Sequence, residues 1–519
     1  MLELLRSRRV RLSALFLVVA LGCGSPRDSA LVGPEWLVIG IDGADWATIN
    51  QLWEAGALPN LKGLAERGVA GVLRTSYGAS PVIWTSVATG VVPEVHGITG
   101  FAVPTPDGDV PVSSRLRKVP ALWNMLTTAG RRTAVVSWWA SWPAEPIAGI
   151  VISDRAGLDV EQAVSPPELR EQFEHWRQRA LAEENLFDPR LATVERDHVT
   201  AFAGRQVLDI PLDLALVYFR GVDIASHRYW KYHQPEAFPQ ATAEEVAELG
   251  DIVAATYRAT DAAIGRLLKG VGPRTNVMVL SDHGFRAMKK EQVRIMLDFD
   301  RVLEKVGFQH KIDGKIDWSQ TQLYTFASAK FRLIKRIRYA DEVPASARPE
   351  LRQRLAAELT KVTYTSGEPA FWVRNAQERE LATGADFVVE VARKGVSKDL
   401  RYGDEIWKQM ITQISFLSGG HSENTHGVFF AAGPDVDTSA QIDGMHIHDI
   451  TPTLLYGLGL PVAEDFAGRA WEELYSASYR QARPLRTIES WGTLGESEAV
   501  ASTADEEILD DLRALGYID

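Results

Sequence analysis

Three aspartates in this 519-residue chain stand at or just beyond the ends of apolar runs with strand character. Asp42 closes WLVIGID, Asp223 follows LALVYFRGV and Asp282 follows VMVLS. Histidines accompany two of them. His227 comes four residues after Asp223, one helical turn along, so both side chains share a face on which they can grip one ion. His283 adjoins Asp282; neighbours on extended backbone point apart, but a turn at Gly284 swings the pair toward one ion or toward two adjacent ones. His421 follows two glycines in FLSGGHSENTHG, with His426 as its rival. Any one of these aspartates alone also reads as a helix N-cap. Three Asp and three His together form a mixed oxygen and nitrogen donor set suited to zinc-like divalent cations.

Two such ions, ~3.5 to 4 Å apart, activate an attacking oxygen and neutralise the oxygens of a phosphoryl group during in-line displacement. That chemistry needs a nucleophile between them. Ser80, in TSYGASPVIWTSVATG, precedes Pro81 and a helix-like segment from Val82 to Thr89. A hydroxyl at a helix start sits where amide groups and the helix dipole favour anions. Ser76, Thr85 and Ser86 are its rivals, and a plain N-cap is the alternative role for Ser80.

The elements that must position these residues are short apolar runs beginning at Trp36, Thr133, Asp213, Asn276 and Gly427, each leading into a turn or a helical pattern. Continuous apolar strands alternating with helices predict an α/β fold with a mostly parallel central sheet and helices on both faces. Ala243 to Gly270 reads as one long crossover helix with a closing glycine. From 286 to 414 the alternation fades, which predicts an inserted cap; its KFRLIKRIR stretch from Lys330 reads as a solvated helix face. The charged segment from Pro166 to Asn185 reads as a second excursion. The predicted organisation is a signal over 1–22, a linker over 23–33, core over 34–285, cap over 286–414, core over 415–475 and a C-terminal tail with a short helix over 476–519.

The N-terminal segment carries Arg6, Arg8, Arg9 and Arg11 ahead of LSALFLVVALG, an apolar run too short to span a bilayer as a helix. It reads as an export signal. Cys23, the only cysteine, follows directly on a small residue, as in bacterial lipoprotein signals, although Ala20 stands where Leu is usual. Lipid attachment at Cys23 tethers the mature protein to the bacterial cell envelope; an ordinary secretory signal or uncleaved anchor is the other reading. A chain without further cysteines suits an oxidising compartment. Removing 1–22 leaves 52 basic and 67 acidic side chains, a balance of −15, which excludes nucleic acid as a partner.

In order along the chain, IDGADW, ASPVIWTSVATGVVPEVHGITGF, GVDIASHRYW, SDHGF, GGHSENTHGVFFAAGP and HDITPTLLYGLGLPVAEDFAGR resemble the alkaline phosphatase superfamily. The similarity runs from about Trp36 to Arg469 and is greatest to the type I phosphodiesterase and nucleotide pyrophosphatase branch with its bacterial phosphohydrolase and phosphomutase relatives. DWSQTQLYTF at Asp317 also resembles a segment of those relatives. The resemblance implies that Asp42, Asp282 and His283, with the Ser80 oxygen, hold one ion, and that Asp223, His227 and His421 hold the other. It implies that Ser80 is covalently phosphorylated, and that His96 in PEVHGI is structural. Two positions depart from relatives. Phe101 stands where nucleotide pyrophosphatases carry an Asn that helps hold phosphoryl oxygens, and Trp84 stands where the sulfatase C/S-x-P-x-R pattern has Arg, which excludes formylglycine chemistry.

The reading that follows is an exported phosphodiesterase or phosphatase with two divalent ions, zinc or alternatively manganese, acting on a phosphate ester such as an envelope lipid or glycan. Two alternatives stand beside it. One is a phosphomutase or phosphotransferase of the same fold; the other is a catalytically silent glycan- or envelope-binding lipoprotein that uses Trp46, Trp84, Trp138, Trp139 or Trp230 as sugar platforms, although core packing is the commoner use of such rings.

Overall fold

The computed structural model describes residues 33–105, 108–183, 192–325, 333–377, 385–495, 500 and 502–518. The signal expected over 1–22, the linker up to residue 32 and the lipid site at Cys23 lie outside the described residues.

Trp36–Ile41 (β1) is buried along its whole length because its residues serve two cores. Trp36 and Val38 pack on one side of the sheet, while Leu37, Ile39 and Ile41 pack on the other. A strand covered on both faces has no reason to alternate with polar residues. Val69–Leu73 (β2), Thr133–Val136 (β3), Gly149–Ile152 (β4), Val164–Ser165 (β5), Leu214–Phe219 (β6), Asn276–Leu280 (β7) and Gly427–Ala432 (β8) complete the sheet. Its eight strands run in the order β2-β8-β7-β1-β6-β3-β4-β5. β7, β1, β6, β3 and β4 are mutually parallel, and the antiparallel pairings are β2 with β8, β8 with β7, and β4 with β5. All five runs read as strands lie in this sheet. The fold is α/β, with a mostly parallel sheet covered on both faces.

Trp46–Glu54 (α1), Ser80–Thr89 (α2), Gly221–His233 (α3), Ile252–Leu268 (α4) and Asp505–Ala514 (α5) matter most for the site. Ile83, Trp84 and Val87 of α2 and Leu512 of α5 join the core on the Trp36 side, while Ile49 of α1 and Tyr257 of α4 join the opposite one. The expected single helix from Ala243 to Gly270 is two, Ala243–Leu249 and α4. Thr242 caps the first by accepting from Glu245 N, and Gly250 ends it before the chain restarts at Asp251. The charged segment after Pro166 is packed rather than projecting: Arg170–Leu181 is a helix that buries Phe173 and Trp176 in the core on the α1 and α4 side.

Two antiparallel strands, Arg286–Leu297 going out and Ile411–Gly420 coming back, form a stalk. Beyond it lies a separate apolar cluster that includes Phe299, Phe371, Phe387 and Trp407. It backs a four-stranded antiparallel sheet in the order Leu323–Thr325, Ile334–Tyr339, Phe387–Val391, Phe371–Arg374. The basic stretch expected to be a solvated helix face is therefore a strand over its described part. Lys335, Ile337 and Tyr339 point inward at a period of two, and the Lys335 ammonium donates to the Leu297 carbonyl at 2.9 Å, so a long charged side chain occupies an inward position that hides the alternation.

α2 approaches β1 closely enough that Trp84 rests on Gly40, where a methyl group would stand 2.7 Å from Trp84 Cη2. Gly40→Ala is expected to overpack this contact at a cost of about 1 to 3 kcal/mol. Thermal unfolding should show a lowered midpoint that Trp84→Phe, added to the same chain, partly restores; a midpoint unchanged by Gly40→Ala would refute the packing argument.

Candidate active site

The parallel strands β1, β6 and β7 end at one edge; Asp42 and Asp282 follow β1 and β7 closely and Asp223 lies in the first turn of α3 after β6, as ligand sites in open parallel sheets require. Neither Asp42 nor Asp223 is spent on capping. Asp45 caps α1 by accepting from Thr48 N at 2.9 Å, and Asp197 accepts from Arg220 N and Gly221 N at the start of α3, at 2.9 and 2.7 Å. Ser80 is likewise not a cap. Ala79 holds the N-cap position of α2, and Ser80, fully buried, points its hydroxyl to Asp42 Oδ1 at 3.3 Å and His283 Nε2 at 3.4 Å.

The six metal-binding candidates fall into two triads. Ligand atoms of Asp42, Asp282 and His283 lie within 4.8 Å of one another, and so do those of Asp223, His227 and His421. His283 Nε2 is 3.4 Å from Asp42 Oδ1 and 3.3 Å from Asp282 Oδ2; Asp223 Oδ1 is 3.5 Å from His227 Nε2 and 3.9 Å from His421 Nε2. The triads adjoin, since the rings of His283 and His421 stack with centroids 3.5 Å apart. His227 Nδ1 lies 3.0 Å from the Gly419 carbonyl and His283 Nδ1 3.1 Å from the Gly284 carbonyl. A carbonyl only accepts, so Nδ1 carries the proton in each ring and the Nε2 lone pair faces the site.

Asp223 Oδ1, Asp282 Oδ2 and His227 Nε2 are buried and have no hydrogen-bond partner. A buried acceptor left unpaired costs about 1 to 3 kcal/mol. Three orphaned acceptors aimed into one space, with a donor set of carboxylates and imidazoles, fit divalent cations.

The other candidates lie elsewhere. The His426 Nδ1 faces Thr75 N at 3.4 Å, outside both triads. Ser76 meets His446 Nε2 at 3.1 Å, and Ser86 meets His96 Nε2 at 3.0 Å while His96 Nδ1 accepts from Ile98 N. Trp84, Trp138 and Trp230 are buried, and Trp46 donates to the Gly71 carbonyl and packs on Phe430; these four rings are core rather than platforms.

The type I phosphodiesterase / nucleotide pyrophosphatase family model matches residues 36–428. The chain belongs to this family. As a type I phosphodiesterase-family protein it is a metal-dependent phosphoric ester hydrolase, built here on a mostly parallel α/β sheet. Among solved structures it is similar to murine ectonucleotide pyrophosphatase / phosphodiesterase 5, at 16% identity over 85% of this chain and 100% of that one, TM-score 0.43. The human protein of the same name is 14% identical over 85% of this chain and 100% of that one, TM-score 0.42. Phosphonoacetate hydrolase from Sinorhizobium meliloti 1021, in complex with phosphonoformate, is 17% identical over 82% of this chain and 95% of that one, TM-score 0.42. No curated protein matches the chain.

Two residues that buttress this phosphodiesterase-family site escaped the sequence reading as polar partners. The Tyr218 hydroxyl donates to Asp42 Oδ2, and Trp139 Nε1 lies 2.7 Å from the Tyr218 oxygen and 3.4 Å from Asp42 Oδ2. The signal was a tyrosine inside the apolar run LALVYF, because a buried phenol needs a partner. On the other side, Gly43 N donates to Asp282 Oδ1 at 3.2 Å.

Burial, reinforced by the charge of Asp42, holds the Asp223 and Asp282 carboxyls well above the ordinary carboxylate range. Burial also pushes His227 down to about 3 and His421 well below its usual value, and it lowers His283. Without cations the site thus favours protonated carboxyls beside neutral imidazoles.

A carboxyl whose pKa is raised by folding stabilises the ion-free fold below the unfolded carboxylate pKa, and that contribution is lost as pH rises through the raised value. A cation requires the ionised form, so loading near neutral pH is expected to expel protons. Calorimetric titration with Zn²⁺ in two buffers of different ionisation enthalpy should give different heats, and Asp223→Asn should shrink the difference. Equal heats in both buffers would show that no carboxyl gives up a proton.

Proposed function

We propose that the chain is an exported phosphodiesterase or phosphatase that works through a phosphoseryl intermediate at Ser80. The single observation carrying this reading is the Ser80 hydroxyl, fully buried, excused from capping α2 and directed at Asp42 and His283 where the two triads adjoin.

The proposed metals are two zinc ions, with manganese as the alternative, because three imidazoles accompany three carboxylates. When bound, such ions supply the positive charge that lowers the hydroxyl pKa and neutralises phosphoryl oxygens. The residues of the chain do the rest. Asp42 Oδ1, accepting from Ser80 Oγ, orients the hydroxyl, and Tyr218 holds Asp42 through its other oxygen. Ser80 Oγ forms a bond to phosphorus as the bond to the departing alcohol oxygen breaks; the hydroxyl proton is lost to water and the alkoxide leaving group takes one up. Water then attacks the phosphoserine, the Oγ–P bond breaks and Ser80 regains its proton.

Membership in a hydrolase family favours catalysis over the silent-binder alternative. With Phe101 where an Asn is expected in nucleotide pyrophosphatases, the proposed substrates are phosphate esters of envelope lipids or glycans rather than nucleotides. The envelope location rests on the basic and apolar N-terminal segment and on Cys23 as its lipid site. Among the described residues no helix is long and apolar enough to cross a membrane.

With zinc-loaded protein, Ser80→Ala is expected to lower turnover of aryl phosphate mono- and diesters by a factor on the order of 10³ or more. Acid quenching of the wild type during turnover should leave phosphate on Ser80, detected by mass spectrometry. Turnover that survives in the variant rules out the covalent route, and transfer of phosphate to an added alcohol in preference to water would place the protein among phosphotransferases. Replacing Cys23 by Ala is expected to move the protein from the membrane to the soluble fraction of the producing cells; continued membrane association would exclude the lipid tether.

A further inference from the structure

The C-terminal segment reaches the site. In LRALGY, Gly516 adopts φ +77, a left-handed conformation that a side chain would strain. Gly516 N donates to the Arg513 carbonyl at 3.0 Å and Tyr517 N to the Leu512 carbonyl at 2.9 Å, the paired bonds that close a helix and turn the chain back on itself. That turn delivers Tyr517 to the site. Its ring stacks on Phe101 with centroids 4.4 Å apart and planes 4° from parallel, stands 5.3 Å from the His227 ring, and its hydroxyl donates to Asp223 Oδ2. α5 is fastened behind it by buried Leu509 and Leu512 and by the Arg155 to Asp505 ion pair at 2.8 Å.

Asp223 is thereby divided between two tasks. Oδ1 faces His227, His283 and His421 at 3.5, 4.0 and 3.9 Å, while Oδ2 is held by Tyr517. A carboxylate free to rotate about its Cβ–Cγ bond exchanges its two oxygens; one pinned from behind does not. We propose that Tyr517, outside the region matched by the family, is a positioning residue that fixes Asp223 for metal binding in the Asp223, His227 and His421 triad. Its ring, resting on Phe101, fixes the height of the hydroxyl. The inference rests on the ligand role of Asp223 in the proposed function.

Tyr517→Phe keeps the ring stack and removes only the hydroxyl. Competition of Zn²⁺ with a chromophoric chelator is expected to show two ions in the wild type and, in Tyr517→Phe, one of them bound about 10- to 100-fold more weakly at an unchanged thermal midpoint of the ion-free protein. A chain ending at Gly516, which needs no substituted side chain to fold, should show the same selective loss. The visible absorption of Co²⁺-loaded protein should change in the variant, which a purely packing role would leave alone. Two ions bound with wild-type affinity by both altered proteins overturn the proposal, as does a truncated chain that turns over substrate faster with unchanged affinity, the behaviour of a plug. Wild-type protein that binds no Zn²⁺ overturns the ligand reading of Asp223 itself, whereas loss of phosphoserine trapping with the affinity difference intact refutes only the covalent step.

Discussion

Asp42, Asp223 and Asp282 converge in a space that water barely reaches, each 1% exposed or less. Two like charges 4 Å apart repel by about 4 kcal/mol even at an effective dielectric constant of 20. The histidines among them offer little relief, since burial keeps them neutral. Only cations or protons make such a cluster tenable. This one constraint explains why three strands end at the same edge, why neighbouring residues take over the capping of α1 and α3, and why Tyr218 and Gly43 spend their donors on the outward oxygens of the carboxylates.

The stalk ties a second domain-like layer to this centre. Its outgoing strand starts three residues after His283 and its returning strand ends one residue before His421, with Arg286 paired to Gly420. The Gly419 carbonyl on the returning strand also sets the tautomer of His227. Candidate ligands from both triads are thus continuous with, or bonded to, the base of the stalk. His283 and His421 adjoin the two stalk strands and His227 is bonded to one of them, so the region beyond the stalk is joined to the candidate site through covalent backbone and not merely placed above it.

Much of the centre was legible because the three candidate aspartates stand at or just beyond apolar runs read as strands, and a strand end fixes where its next residues emerge. The structure, not propensity, frees Asp42 from capping: IDGADW contains two aspartates, and Asp45, nearer α1, does the capping. The choice between His421 and His426 needed three dimensions, because both sit in one glycine-flanked loop and they part only in space, His421 beside Asp223 and His283 and His426 beside Thr75. Tyr218 and Trp139 were legible as core, but their hydrogen bonds to Asp42 were not, since periodicity reports which face is buried and not what a buried polar tip touches. The Ile334–Tyr339 strand escaped because Lys335 occupies an inward position, so its composition looked solvated.

The C-terminal segment was least legible for a physical reason. A ten-residue helix has marginal stability alone in water, so the amphipathic pattern of Asp505–Ala514 says that it must dock without saying where. Its partners, Arg155, Phe101 and Asp223, are separated from it by hundreds of residues and share no motif with it. Docking and the formation of α5 are therefore one event, and the aim of Tyr517 exists only once both have happened. The strand-end aspartates are held by the central sheet itself, while the Tyr517 contact depends on the docking of α5 through Leu509, Leu512 and the Arg155 to Asp505 ion pair. The two triads consequently differ in kind: Asp42, Asp282 and His283 all follow strands of the central sheet, while the other triad includes Asp223, whose second oxygen is held by a side chain from the C-terminal segment.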